Sequence, residues 1–181
     1  MKKEKGCNQK IDVTWIILGG PSPYGLKLGL SDTVEVKRVL NKEGGLITNE
    51  DRKGPPTLVW HVTKLRMEHL VLSKFWFYEG ILFGVEYRFN SSLDKKEFKL
   101  TVEKLESHYG PYTKYIEPNK MEAGQAYWKI GDQEVELIVQ RVSDTMSLQY
   151  CHIPKALEAE QSEKEATLPK VRKKMQVEDG L

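Results

Sequence analysis

Residues 69 to 89 read HLVLSKFWFYEGILFGVEYRF, and the fold turns on reading them as two strands joined at Glu79-Gly80. A polar residue followed by glycine between two apolar runs is a hairpin signal, because a tight turn there needs backbone that accepts positive φ. In the second run Ile81, Phe83, Val85, Tyr87 and Phe89 take one face, and Glu86, Arg88 and Asn90 take the other. That is the two-residue period of a strand, so the first face is expected to be core. The partner run, residues 70 to 78, is apolar on both sides through Phe75, Trp76, Phe77 and Tyr78. It therefore belongs inside a sheet, or under cover on both faces.

Upstream, Leu58, Trp60 and Val62 alternate with Thr57, His61 and Thr63, so the strand period extends back toward Leu46. Before that point the period is helical. Asp32 stands three residues ahead of Glu35 as an N-cap with a capping box, Val36, Val39 and Leu40 share a face, and Gly44-Gly45 stops the run, which predicts a helix over 32–43. Residues 11 to 18, IDVTWIIL, read as a first strand broken by GGPSP. Downstream, SSLDKKEF opens a second helix capped by Ser91, Ser92 or Asp94, with Phe98, Val102, Leu105 and Tyr109 at helical spacing and Gly110-Pro111 as its stop. Three strands then follow in GQAYWKI, EVELIVQRV and TMSLQYC.

The predicted class is α+β: an antiparallel meander with two packing helices, a helix-plus-meander unit used twice, followed by a C-terminal tail that is helical or disordered. By this reading residues 1 to 10 are a flexible basic N-terminus. Residues 11 to 152 form a single α+β domain with halves at 11–90 and 91–152, and residues 153 to 181 are a charged tail. KALEAEQSEKEA in that tail has no apolar stripe of useful width, so loose attachment is expected there.

The 181 residues carry 39% hydrophobic and 30% charged side chains with a net charge of +2. That balance suits a folded soluble chain, and it lacks the strong basic excess of a nucleic-acid binder. Basic residues gather at Lys2, Lys3, Lys5 and Lys10, and again at Lys170, Arg172, Lys173 and Lys174. No apolar run approaches the ~20 residues of a membrane-spanning helix. MKKEKG has the positive start of an export signal, but CNQKIDVTW follows where an apolar stretch should stand.

At residues 24 to 40 the string YGLKLGLSDTVEVKRVL resembles a phrase of small bacterial envelope lipoproteins, the BamE-like (SmpA/OmlA) outer-membrane assembly proteins. The matching positions are Gly25, Leu28, Gly29, Leu30, Ser31, Val36 and Leu40. Physically the phrase brings backbone close to a sheet at its glycines and then starts a capped helix. The resemblance implies a non-enzymatic accessory or protein-binding module that works through an exposed surface. Cys7 after Gly6 also resembles the Gly-Cys junction at which bacterial lipoproteins are cleaved and acylated, which makes Cys7 the lipidation candidate. Peripheral membrane contact and a place in the envelope would follow only from that modification. Without it the chain is expected in the cytoplasm.

Catalytic chemistry finds little purchase. His61, His69, His108 and His152 share no metal-ligand spacing, and two cysteines without a CxxC pair make no zinc site. Neighbouring Cys151 and His152 point to opposite faces of a strand, so a hydrolase would need His61 or His108 to reach Cys151 from elsewhere. Pro21 and Pro23 remove donors that a phosphate cradle at Gly19-Gly20 would require. Glu134 and Glu136 share a strand face and read as a solvated charge pair. Neither a catalytic group, a metal nor a cofactor is predicted. The leading reading is a protein-binding module, with Trp76, Tyr78 and Arg88 as the partner-binding candidates. A cytoplasmic adaptor or chaperone-like protein pairing through its sheet is the alternative, and a hydrolase using Cys151 or a histidine ranks third.

Overall fold

The computed structural model describes residues 23–54, 57–65, 69–90, 95–119, 123–140 and 145–178. The strand expected at 11–18 and the caps Ser91, Ser92 and Asp94 lie outside them. A 3-10 turn at Pro23–Gly25 leads into α1 (Thr33–Lys42), then β1 (Leu46–Gly54), β2 (Thr57–Thr63), β3 (Leu70–Tyr78) and β4 (Ile81–Asn90). The second unit is α2 (Lys95–Tyr109), β5 (Lys114–Ile116), β6 (Gly124–Ile130), β7 (Gln133–Gln140) and β8 (Thr145–His152), and α3 (Ile153–Glu178) closes the chain.

The eight strands among the described residues form one antiparallel sheet in the order β1-β2-β3-β4-β8-β7-β6-β5. Each unit is a helix followed by a four-stranded meander, and the two units join through their last strands, with Val85 opposite Tyr150 and Tyr87 opposite Leu148. The α+β class and the twice-used unit are therefore as the sequence reading has them. The expected division at residue 90 separates two halves of one sheet. A single core runs across the join and includes Phe75, Val85 and Tyr87 from the first half and Leu137, Leu148 and Tyr150 from the second. The three strands expected after α2 are preceded by a fourth, β5, whose three residues are too few to show a period.

Helix α1 starts as its sequence dictates, with the Asp32 carboxylate accepting the Glu35 backbone N–H at 2.8 Å. Its Val36 and Leu40 are buried, as are Phe98, Val102 and Leu105 of α2, so both helices cover the same apolar side of the sheet. Leu40→Ala and Leu105→Ala are each expected to cost about 3 kcal/mol, since both remove fully buried methyl groups from mid-stripe. Urea midpoints would check this. A shift worth under about 1 kcal/mol would mean that the helix faces are misassigned.

The decisive hairpin forms, with Glu79 at φ 50 and Gly80 at φ 79, as its tight turn requires. The face assignment in β4 needs correction at its start. Trp76 pairs with Gly84 but the next residue, Phe77, pairs with Leu82, so Phe83 is an extra, bulged residue. The bulge reverses the alternation: Leu82 enters the core with Val85, Tyr87 and Phe89, whereas Ile81 and Phe83 are only half-buried.

Where β8 ends, the segment after Leu28 takes its place beside β4. Gly29 N–H donates to the Leu82 carbonyl and Leu82 N–H donates to the Ser31 carbonyl, both at 2.8 Å. The close approach expected of the glycines occurs at Gly29. Its φ is +81, and an added Cβ would lie 2.7 Å from Nε2 of His152. At Gly25, also at positive φ, no atom would meet such a Cβ within 4 Å, and only the backbone conformation calls for glycine there.

Candidate functional site

Residues that alternate with the core define the other face of the sheet, and the first turns of α3 lie across part of it. The helix starts at His152, whose Nδ1 accepts the Lys155 backbone N–H at 3.4 Å, while the Ile153 N–H donates to the Asp132 carbonyl at 2.8 Å. Ala159 is buried, and Ala156 is half-buried one turn earlier. The tail is thus a docked helix over these turns, contrary to the loose attachment expected. Among the described residues of α3 the most buried is Ala159, with Ala156 one turn earlier, and alanines give a weak apolar signal in sequence but allow close approach to a sheet.

Between α3 and the sheet lies a cleft of about 330 Å³. Its aromatic wall is Trp76 of β3 and Phe83, the bulged residue of β4. Gly84 completes this floor, because a Cβ there would meet the Trp76 ring at 3.3 Å. Glu134 and Glu136 of β7 and Gln149 and Cys151 of β8 form the polar wall, and Glu160 and Glu163 descend from the helix. Thr57 of β2 also lines the cleft.

The carboxylates have neutral partners. The Tyr127 hydroxyl donates to Glu134 Oε2 at 3.0 Å, and the Gln125 amide donates to Glu136. Burial first, and then Glu134, pushes the Tyr127 phenol up from its ordinary value. The Cys151 thiol is pushed up to about 12, by burial and then by the negative charge of Glu134. Glu160 forms an ion pair with Lys164 at 2.6 Å. Among the described residues Glu134, Glu136 and Glu163 have no cationic partner. The reading of Glu134 and Glu136 as a solvated pair is corrected here: both are half-buried, because α3 roofs a face that sequence alternation alone leaves open.

Thr57 is 4% exposed, and its hydroxyl has no hydrogen-bond partner among the described residues. An unpaired buried hydroxyl is costly, so Thr57→Val, which keeps shape and β-propensity, is expected to stabilise the protein by about 1 kcal/mol. A lower urea midpoint for this variant would show that the hydroxyl is satisfied in solution.

The three partner-binding candidates part company. Trp76 lines the cleft. Tyr78 faces the start of α3, where the Lys155 ammonium lies 5.5 Å from its ring centroid and 2.6 Å from Glu158. Arg88 is tied to the nearly buried Glu86 at 2.9 Å, with Lys74 at 3.9 Å from the same carboxylate. Cys7 lies outside the described residues. Neither catalytic histidine candidate lines the cleft: His61 Nε2 is 3.0 Å from Asp51 Oδ2, and His108 is exposed on α2 with its ring 4.7 Å from that of Tyr109. Among the described residues no three His, Cys, Asp or Glu side chains converge as metal ligands.

Sequence reasoning missed Thr57, Phe83, Gln149 and the two alanines as cleft residues. Two signals were present: Gly84 inside a strand pattern, which marks bulges, and Ala156 and Ala159 at helical spacing.

No family model and no curated protein matches this chain. Among solved structures it is similar to a DUF4309 family protein (YjgB) from Bacillus subtilis subsp. subtilis str. 168, with a TM-score of 0.45 and 12% identity over 75% of this chain and 93% of that one. A likeness at this level carries no functional argument.

Proposed function

We propose that this chain is a non-enzymatic binding module whose partner is another protein and whose binding site is the cleft under α3. The observation that carries the reading is a concave site with an aromatic wall facing unneutralised carboxylates, the mixture of apolar area and a few polar groups typical of recognition sites. The thiol in that site is held protonated, which is the opposite of the activation a nucleophile needs. The cleft is favoured over pairing through a sheet edge. At the β1 edge, register shifts at Ile47/Asn49 and Arg52/Gly54 and the charged run Glu50, Asp51 and Arg52 make a poor template for an added strand. The other edge, β5, is three residues long. An accessory role in the bacterial envelope belongs to the same reading and rests on the resemblance at residues 24 to 40.

Complementation of a deletion strain of the source organism tests this. Ala156→Trp fills the cleft from its roof, whereas Leu157→Trp places the same ring on a residue that is 58% exposed. The first variant is expected to lose biological activity with near-native melting, and the second to keep it. His61→Ala and His108→Ala, both away from the cleft, should also complement. Full activity of Ala156→Trp would overturn the cleft as the working site, and loss in a folded His61→Ala or His108→Ala would reopen catalysis.

A further inference from the structure

We infer that the outward face of α1, with the turn before it, is a docking surface for an anionic lipid bilayer and needs no acyl chain on the protein. Leu30 and Val34 are 72% and 74% exposed, more than any other large hydrophobic residue among those described. A lone exposed leucine carries no message, but these two stand among cations. Leu30 lies in a turn whose Lys27 carbonyl accepts the N–H groups of both Leu30 and Ser31, and Val34 lies on the first turn of α1. Arg38 and Lys42 follow Val34 at four-residue spacing with Lys37 beside them, on the side of the helix away from buried Val36 and Leu40. Lys27, Lys37, Arg38 and Lys42 are all exposed, and none has a carboxylate within ion-pair distance among the described residues. Against these four stand exposed Asp32, whose carboxylate caps the helix, and Glu79 of the hairpin whose Gly80 carbonyl accepts the Thr33 N–H; Glu35 and Glu43 are half-buried.

Aliphatic tips beside an excess of cations match an anionic bilayer: the apolar side chains enter the headgroup boundary while ammonium and guanidinium groups meet lipid phosphates. Nucleic acid would leave Leu30 and Val34 without a role, since its bases are held by aromatic or hydrogen-bonding side chains. A protein interface is anchored most often by aromatic side chains and arginine, and the outward face of α1 carries no aromatic residue. Lys2, Lys3, Lys5 and Lys10 precede the surface in sequence and add charge of the same sign. Helix α1 covers the apolar side of the sheet, whereas the cleft under α3 is on the other side. Lipid held at α1 therefore leaves the cleft open to a partner.

The test is flotation of the full chain, unmodified at Cys7, with vesicles of phosphatidylcholine alone or with about 30% phosphatidylglycerol. Binding is expected to the anionic vesicles only, and to fall at least about tenfold as salt rises from about 0.05 to 0.5 M. Lys37→Gln with Arg38→Gln should weaken it about tenfold or more. Leu30→Ser with Val34→Ser should weaken it about tenfold while leaving its salt dependence unchanged. All four positions are at the surface, so both pairs should keep native circular dichroism. Lys114→Gln with Lys129→Gln removes the same charge from exposed positions on β5 and β6 and should bind as the parent does. Equal binding to both vesicle types overturns the proposal, as does binding to neither, or equal weakening by the two charge-removing pairs. Binding that survives in the Lys37 and Arg38 pair but is lost when Lys2, Lys3, Lys5 and Lys10 become Gln overturns α1 as the docking face. Undiminished binding by the serine pair overturns insertion of the apolar tips, and if short duplex DNA then displaces the vesicles at equal phosphate concentration, the face belongs to nucleic acid.

Discussion

Trp128→Ala is expected to destabilise the protein by about 4 kcal/mol, the scale for deleting a fully buried indole. Trp128 lies on β6 with only 1% of its surface exposed, and its indole N–H donates to the Gly110 carbonyl at 2.9 Å. That bond joins the end of α2 to the second meander. Tyr112 packs edge-on against the ring, 6.5 Å between centroids, and stacks in turn on Tyr115. Alanine therefore opens a cavity and also leaves a carbonyl without its donor. Trp128→Phe separates the two effects: it keeps most of the packing, and its smaller loss, about 1 to 2 kcal/mol, reports the missing hydrogen bond. Urea denaturation followed by circular dichroism supplies both values. An alanine variant within about 1 kcal/mol of the parent would mean that α2 is not anchored through this residue.

Cys151 should react with Ellman's reagent roughly fiftyfold more slowly in the native protein than in urea, measured at pH 8 on a Cys7→Ser background. Raising the pKa of an acid keeps it protonated, and only the thiolate attacks. Moving the thiol from its ordinary 9.0 to about 12 removes about a thousandfold of thiolate at any pH below the ordinary value, and the greater nucleophilicity of the more basic thiolate returns part of that loss. The native rate should accordingly keep rising with pH through the range where an ordinary thiol has already levelled off. Glu134→Gln should raise the rate, because it removes the charge that opposes ionisation after burial does. A plateau near pH 9, or a native rate within a few-fold of the unfolded one, would show that α3 does not cover this strand.

Much of the fold is legible in local residue patterns because the forces that set it are local. A cap is a single side chain accepting a single N–H, so Asp32 and Glu35 declare the start of α1 without knowledge of anything beyond them. The turn at Glu79-Gly80 is likewise a matter of which residues accept positive φ. Core membership follows from period wherever the period is unbroken, as in β8, where Met146, Leu148 and Tyr150 enter the core cluster and the intervening Thr145, Ser147 and Gln149 do not.

Tertiary structure decided three further things. The bulge at Phe83 is a property of two strands in register, since a single strand has no partner against which to count an extra residue. The joining of β4 to β8, which turns two meanders into one sheet, is a long-range pairing that either unit alone leaves open. The site itself depends on α3. Glu134, Glu136, Trp76 and Thr57 come from three different strands, and they become walls of one cleft only when a helix with a narrow alanine stripe lies over them. The sequence by itself determined the two packing helices, all the described strands but β5, and the apolar core outside the start of β4, because backbone propensity and burial of alternating side chains act over a few residues. Which polar residues share the cleft was left to the packing of elements up to about a hundred residues apart, where the chemistry of each residue no longer specifies its neighbour.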